Sequence, residues 1–332
     1  DNYATVANTG ENYFNVSYSG HTFTLNSTGN VSNASYANPT IPEGFSPVNT
    51  DTSHWNDGPD GRPSTQSINN GLVIEDEAGN QFVWVPVDGT NLKYEKYVYN
   101  SNSSSSGWNS LKYLNYSDWN DPDTNISSVA KYGGFYVGRF ESGVPDNAPF
   151  YASNNGDTYE TTSKDVSIYS PVIKAKSQVW NCISQTNAKI VSSNMYHLNS
   201  IKSNLIDSVA WDTLTQWIAN TNGSNAIKNC SSWGNHKNSN YTINGLYAIH
   251  SGISISNPPA TYNYGNYEIL SNSEVEVATG IDDRNKINNI YDLAGNVHEW
   301  TTEIGYYDNS SSDAYAVGRG GSYHDNSPNW GI

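Results

Sequence analysis

The sequence predicts a mixed fold in which strands, two helices and much irregular chain occur together. Alternating or continuous apolar runs predict strands within residues 11–27, 71–87 and 134–141. Apolar residues at helical spacing follow within 186–198 and 206–218. Asn, Ser, Thr and Gly fill most of the remaining chain, and only 36% of the 332 residues are hydrophobic.

The N-terminal region, residues 1–38, is predicted to hold a β-hairpin. Phe14 and Val16 alternate with polar residues before the Ser19-Gly20 turn, and the alternation resumes after it. A lone hairpin is only marginally stable, so it must pack on something else or belong to a module upstream. Residues 39–70 are rich in Asn, Ser, Pro, Asp and Gly, which predicts a linker with little regular structure.

Residues 71–332 are predicted to form one domain. Residues 72–74 and 82–87 read as two strands joined by an Asp- and Gly-containing turn, and 134–141 as a third strand. Each of two helices carries one apolar face, the first after a Thr186 cap and the second after Asp207. These faces are Ala188, Val191, Met195 and Leu198 in the first helix, and Trp211, Leu214 and Ile218 in the second.

The charge of the chain limits its partners. The formal net charge is −16, and only 16 Lys and Arg residues occur, without a cluster. Nucleic acid and anionic membranes, which attract basic patches, are therefore not expected as partners. No apolar run is long enough to span a bilayer, so no direct membrane insertion is expected, and Asp1 in first position suggests a processed chain. The 25 Tyr and 10 Trp residues are types that binding surfaces favour.

The chain has two cysteines, Cys182 and Cys230. A single pair in an otherwise thiol-free chain suits one disulfide in an oxidising compartment. Two buried thiols are the alternative, and the sequence does not decide between them.

Two motifs near the end of the chain resemble a known family. Residues 291–301 read Tyr-Asp-Leu-Ala-Gly-Asn-Val-His-Glu-Trp-Thr, and residues 318–323 read Gly-Arg-Gly-Gly-Ser-Tyr. Together they resemble the paired signature of formylglycine-generating-enzyme-type domains. The predicted strands and helices agree with that family in order, so the resemblance covers roughly residues 71–332.

This resemblance implies an α+β domain of the C-type lectin fold. Such a domain has a twisted, mostly antiparallel sheet, two helices and much irregular chain. The family usually ends with a strand that contains Gly-Phe-Arg, whereas this sequence stops at Gly331-Ile332, so the C-terminal strand is apparently missing.

The resemblance also implies a calcium ion at the first motif. The ligands would be the side chains of Asp292 and Glu299 and the carbonyls of Gly295 and Val297. Calcium prefers such a mixture of carboxylate and carbonyl oxygens. Alternatively, the two acidic residues cap turns and pair with Lys or Arg. His298 replaces the Trp that is usual in the family, and we expect a packed aromatic ring there.

The enzymatic branches of the family are not expected here. Catalytic members hold copper with two cysteines after the Arg-Gly-Gly-Ser segment, and these positions fall at Asp325 and Trp330 in this chain. Neither can act as a thiolate ligand, so copper is not expected as a cofactor. The seven His residues are scattered, which disfavours the iron-dependent branch.

Non-catalytic relatives, including the variable proteins of diversity-generating retroelements and bacterial surface or pilin-like proteins, bind ligands around the second motif. The residues after Arg-Gly-Gly-Ser are polar and aromatic types that suit recognition. The alternative is an ordinary exposed loop. The candidate ligand-binding residues are Tyr323, His324, Asp325, Asn326, Asn329 and Trp330.

The sequence therefore predicts an extracellular or cell-surface protein for ligand binding or adhesion on a calcium-stabilised scaffold. Its partner would be a host or microbial surface protein or glycan. The first alternative is a structural subunit of an extracellular filament or pilus, with possible self-assembly. The second is a residual oxidase of the formylglycine-generating type.

Overall fold

Antiparallel sheets, five α-helices and two short 3-10 helices make up the regular structure of the described chain. The structure, a computed structural model, describes residues 4–8, 13–19, 22–26, 34–97, 126–148, 165–181, 183–198, 201–244, 248–251, 266–269, 274–306 and 314–326. This architecture is compatible with the predicted α+β class.

The strands are mostly short. They are β1 Ala4–Asn8, β2 Tyr13–Ser19, β3 Thr22–Asn26, β4 Ile41–Pro42, β5 Phe45–Val48, β6 Val73–Asp76, β7 Gln81–Pro86, β8 Gly134–Gly138, β9 His197–Leu198, β10 Ile201–Leu205, β11 Tyr241–Asn244, β12 Ala248–Ser251, β13 Asn266–Ile269, β14 Val275–Val277, β15 Lys286–Ile287, β16 Ile290–Tyr291, β17 Glu299–Tyr306 and β18 Ala314–Arg319. The helices are α1 Thr65–Asn70, α2 Ile126–Tyr132, α3 Gln185–Met195, α4 Ser208–Asn222 and α5 Asn225–Lys228.

The main sheet has seven strands in the order β5-β6-β7-β8-β1-β10-β9, and every neighbouring pair is antiparallel. Strands β6, β7 and β8 lie where the apolar runs predict them. Phe82, Val83, Trp84 and Val85 in β7 are all completely buried, so both faces of this strand are covered. A continuous apolar run is typical of a strand that is buried on both sides.

One face of the sheet packs on α4. Val83 and Val85 share a core cluster with Trp211 and Leu214 of that helix. Asp207 caps α4 through a hydrogen bond from the Ala210 amide (2.7 Å), and the helix follows it as the sequence predicts. The predicted cap of the first helix is wrong: Ser184, not Thr186, accepts a hydrogen bond from the Asn187 amide.

The other face of the sheet packs on the segment that was predicted to be a linker. Phe82 and Trp84 share a cluster with Ile41, Phe45 and Trp55. The Trp55 indole donates to the Val73 carbonyl (2.7 Å), and the segment contributes β4, β5 and α1. The prediction of a linker over 39–70 is therefore wrong, because a strand buried on both faces needs a second covering layer.

The predicted N-terminal hairpin is formed by β2 and β3, which pair up to Ser19 opposite Thr22. Strand β4 pairs with β2 and completes a small sheet of three strands. Strand β1 instead lies in the main sheet, between β8 and β10. The described strands of the N-terminal region thus lie in two sheets: β2 and β3 form the expected hairpin, and β1 joins the main sheet.

None of the helices in the described part of the chain combines the length and the apolar character that crossing a membrane requires.

Candidate functional site

The segment from Asn288 to Asn296, which links β15, β16 and the start of β17, contains an unusual concentration of left-handed backbone. Asn288, Asn289, Asp292 and Asn296 have φ angles of 47°, 61°, 55° and 56°. Asn and Asp tolerate this conformation better than other residues with a side chain. At Gly295 (φ 76°) a Cβ atom would overlap the backbone of Asn235, so glycine is required there. These constraints account for the Asp, Gly and Asn of the first motif.

Asn296 fixes the segment from inside. Its Oδ1 accepts from the amide of Val277 (2.9 Å) and from Nδ2 of Asn235 (3.0 Å). Its Nδ2 donates to Glu141 (2.6 Å) and to the Val277 carbonyl (3.0 Å). A buried amide with partners on both sides holds one orientation, and it therefore sets the position of the neighbouring residues.

Asp292 and Glu299, the two predicted calcium-binding side chains, are both completely buried. Oδ2 of Asp292 accepts from the Gly280 amide (2.7 Å) and the Thr279 hydroxyl (3.0 Å), whereas Oδ1 has no hydrogen-bond partner within the described chain. Neither carboxylate oxygen of Glu299 has a partner there. Burial raises the pKa of Asp292 to about 6. Burial, followed by the charge of Glu141, raises the pKa of Glu299 well above its usual range.

The two predicted carbonyl ligands also lack described donors. The carbonyls of Ala294 and Asn296 accept from the amides of Asn235 (3.1 Å) and Tyr323 (3.0 Å). The intervening carbonyls of Gly295 and Val297 accept no hydrogen bond from the described residues. The segment therefore alternates carbonyls that serve the fold with carbonyls available to a ligand.

The unpartnered oxygens fit a cation. The alternative is that Lys or Arg neutralises Asp292 and Glu299. No ion pair to either residue occurs in the described ranges. Within those ranges, no three His, Cys, Asp or Glu side chains come together closely enough to hold a metal ion by themselves. The predicted set instead combines two carboxylates with two carbonyls, a donor mixture that calcium accepts.

The second motif is anchored by a buried group of ion pairs. Arg319 pairs with Glu303 and lies 3.7 Å from Asp212 of α4. Lys96 pairs with the same two carboxylates, at 3.0 Å to Asp212 and 3.4 Å to Glu303. At Gly320 a Cβ atom would collide with the Glu299 carboxylate, so this glycine lets the chain directly after β18 pass close to the buried acid. The first two residues of Arg-Gly-Gly-Ser therefore serve the scaffold.

The chain then makes a turn fixed by main-chain hydrogen bonds. The Gly320 carbonyl accepts from Gly295 (2.8 Å), and the Asp325 carbonyl accepts from Lys237 (2.9 Å). Ser322 closes the turn, because its carbonyl accepts from the Asp325 amide (3.0 Å) and its hydroxyl donates to the Asp325 carboxylate (2.7 Å). The turn therefore rests on the same loop that carries the predicted calcium ligands.

The structure separates the predicted ligand-binding residues into three groups. His324 and Asn326 are exposed, and Asp325 is half-buried. Tyr323 is buried against Val179 and Val297, so its side chain packs on the scaffold instead of lying exposed as expected of a ligand-binding residue. Asn329 and Trp330 lie outside the described residues.

His298 also differs from expectation. It was predicted to be a packed ring, but its side chain is 47% exposed, and Nε2 lies 3.3 Å from the Asp325 carboxylate. Burial acts to raise the pKa of Asp325, yet hydrogen bonds from His298 and Ser322 outweigh it and hold that pKa below its usual range. Strand β17 begins at the next residue, Glu299. The Glu299 side chain points into the core, whereas the His298 side chain points towards solvent.

Two residues that the sequence did not indicate join this surface. Glu274 pairs with Lys237, and its carboxylate lies 3.3 Å from Nδ1 of His324. Neither residue belongs to a motif, and both come from loops distant in the sequence. We call the group His298, His324, Asp325, Asn326, Lys237 and Glu274 the polar surface.

Of the two cysteines, Cys230 is buried, while Cys182 lies outside the described residues. The disulfide between them stays a prediction.

Comparisons of the chain with protein-family models, with curated proteins and with solved structures found no match. The class of the protein therefore has to be inferred from the fold and the site themselves.

Proposed function

We propose that the chain is an extracellular ligand-binding or adhesion protein on a calcium-stabilised, C-type-lectin-like scaffold of the formylglycine-generating-enzyme type, without catalytic activity. The observation that supports this most is the pair of buried acids, Asp292 and Glu299, beneath an exposed polar turn. Three of their four oxygens lack a partner within the described chain, which suits an ion at that place.

Calcium would act on the scaffold. Asp292, Glu299 and the carbonyls of Gly295 and Val297 would hold it, and the ion would neutralise the two buried charges. Because Gly295 and Asn296 bond directly to Gly320 and Tyr323, fixing the first segment also fixes the turn above it. A fixed turn presents its side chains without paying the entropy of ordering a loop on binding.

The chemistry of the polar surface indicates the class of ligand. It combines imidazoles, an amide, two carboxylates and an ammonium group, all able to form hydrogen bonds. Within the described residues, this surface contains no exposed large apolar side chain. Such a surface suits a hydroxyl-rich glycan, or a polar patch of a host or microbial surface protein.

The test is a binding experiment with a panel of immobilised oligosaccharides and of intact bacterial and animal cells. We expect His324→Ala and Asn326→Ala each to weaken attachment by about tenfold, the size of a lost hydrogen bond at a rigid surface. Glu77→Ala, at an exposed position in the turn between β6 and β7, is the control and should attach like the parent. If both surface variants fold and attach fully, the polar surface is not the binding site.

A further inference from the structure

Glu141 is a third buried acid beside the two proposed calcium-binding side chains. It is completely buried, like Asp292 and Glu299. Its Oε1 atom has no hydrogen-bond partner within the described chain, and no Lys or Arg forms an ion pair with it there. Glu141 is not one of the four groups proposed to hold calcium. A buried carboxylate without a neutralising partner is costly, so its presence needs a physical reason.

Two hydrogen-bonded connections place Glu141 against the first motif. Its backbone amide donates to the Thr279 hydroxyl (3.1 Å), and that hydroxyl donates to Oδ2 of Asp292 (3.0 Å). Its Oε2 atom accepts from Nδ2 of Asn296 (2.6 Å), the residue between the two proposed carbonyl ligands. The backbone and the side chain of Glu141 are therefore both tied to the segment that would hold the ion.

The three carboxylates also act on one another. Burial raises the pKa of Glu141 well above its usual range, and the charge of Asp292 raises it further. Burial likewise raises the pKa of Glu299, and the charge of Glu141 adds to that effect. Negative charges that interact in this way repel one another, and a bound cation relieves the repulsion among all three. The cation would therefore meet one more negative charge than its two carboxylate ligands bring.

We propose that Glu141 is a specificity-determining residue of the calcium site, an outer carboxylate whose charge favours cations of high charge. This inference rests on the proposed calcium site and adds a residue to it. Within the described ranges, no three acidic side chains come close enough to hold an ion by themselves, so Glu141 acts through its charge and not as a ligand. The energy between two charges is proportional to their product, so the loss of Glu141 weakens the binding of a trivalent ion more than that of a divalent ion.

The experiment compares the affinities of Ca²⁺ and Tb³⁺ for the parent chain and for Glu141→Gln. The variant removes the charge but keeps a side-chain oxygen that can accept from Asn296. Calorimetry measures calcium binding, terbium luminescence measures terbium binding, and circular dichroism checks the fold. We expect the calcium affinity to fall about tenfold and the terbium affinity about thirtyfold, because the logarithm of the loss scales with the charge of the ion.

Glu276→Gln is the matched control. Glu276 is also a buried carboxylate, but both of its oxygens accept from Nδ2 of Asn181 (2.9 Å each). This variant should bind both ions like the parent chain. Glu141→Asp, which keeps the charge, should keep the parent's ratio of terbium to calcium affinity.

The outcomes separate the role of Glu141 from the calcium site itself. If the parent binds both ions and Glu141→Gln binds both equally well, or loses the same factor for each, Glu141 only holds Asn296 and the proposal is overturned, whereas the calcium site stands. A Glu141→Gln chain that does not fold overturns it too, since the carboxylate then serves the fold. If the parent binds neither ion, the calcium site fails, and the role of Glu141 fails with it.

Discussion

Glu299 is the residue that bears most directly on the predicted calcium site. It is completely buried, and neither of its carboxylate oxygens has a hydrogen-bond partner in the described chain. Burial raises its pKa, and the charge of Glu141 raises it further. A carboxylate in this position either takes up a proton or meets a cation. The resemblance of the first motif to formylglycine-generating-enzyme-type domains implies the second outcome, which stays a prediction.

We predict that calcium raises the melting temperature of the chain and that a chelator lowers it. At a hundredfold excess over the dissociation constant, an ion adds about 2.7 kcal/mol to the free energy of unfolding. Glu299→Gln should abolish most of this increment, because it removes one anionic ligand. Differential scanning calorimetry with and without calcium measures the effect.

The matched control for this measurement is Glu77→Gln, which makes the same chemical change at an exposed position. It should respond to calcium like the parent chain. The calcium site is contradicted if the melting temperature of the parent chain does not change in excess chelator and elemental analysis finds no calcium.

A second prediction concerns the buried histidine His236. Burial lowers its pKa to about 4, whereas a histidine in the unfolded chain titrates near about 6.5. Between these values the unfolded chain binds more protons, so the histidine's contribution to stability is complete above pH 6.5 and is lost as the pH falls towards 4. The slope is at most about 1.4 kcal/mol per pH unit.

His236→Phe removes this titration and keeps an aromatic ring at the buried position. Urea unfolding from pH 7 to pH 4 measures the effect. As the pH falls, the free energy of unfolding should decrease less for the variant than for the parent chain. If the free energy of unfolding changes with pH by the same amount in both chains, His236 does not titrate between pH 4 and pH 7.

Other residues of the site were not predictable. Tyr323 looks like a binding anchor in the sequence, but the backbone turns it toward Val179 and Val297. The exposed position of His298 follows from the inward direction of its neighbour Glu299, which only the pairing of β17 with β18 establishes. Lys237 and Glu274 carry no motif at all.

At the scale of elements, the helix caps offer a direct comparison. Asp207 is buried and accepts hydrogen bonds from both the Ala210 amide and the Tyr94 hydroxyl, each at 2.7 Å. Ser184, the cap of α3, is half-buried and accepts from Asn187 (3.1 Å). We predict that Asp207→Ala costs about 2–3 kcal/mol, since it removes a cap and leaves a second partner unsatisfied.

Ser184→Ala serves as the comparison and should cost about 1 kcal/mol. Urea unfolding midpoints measure both variants. Equal losses would mean that the bond from Tyr94 contributes nothing to the stability of α4.

The elements that the sequence predicted are those with local signals. Strands β6, β7 and β8 have apolar runs bounded by turns, and α4 has an apolar face behind an acidic cap. Strand β1 has only five residues, and its two neighbours are distant in the chain. No local pattern specifies such a pairing.

At the scale of the whole molecule, the largest error was the role of residues 39–70. Their composition is that of a loop, yet Ile41, Phe45, Trp55 and Ile68 close one face of the main sheet. The apolar residues are few and irregularly spaced, so they produce no periodic signal. The continuous apolar run in β7 did indicate a second covering layer, because a sheet that is apolar on both faces must be covered by other parts of the chain on both faces.

The position of β1 also has a consequence for biosynthesis. The ribosome produces β1 before β8 and long before β10, so the strand stays unpaired while most of the domain emerges. Its pairing is non-local, and non-local contacts form slowly because a long loop must close first. The pairing of β1 with β10 therefore cannot form before residue 205 has been synthesised.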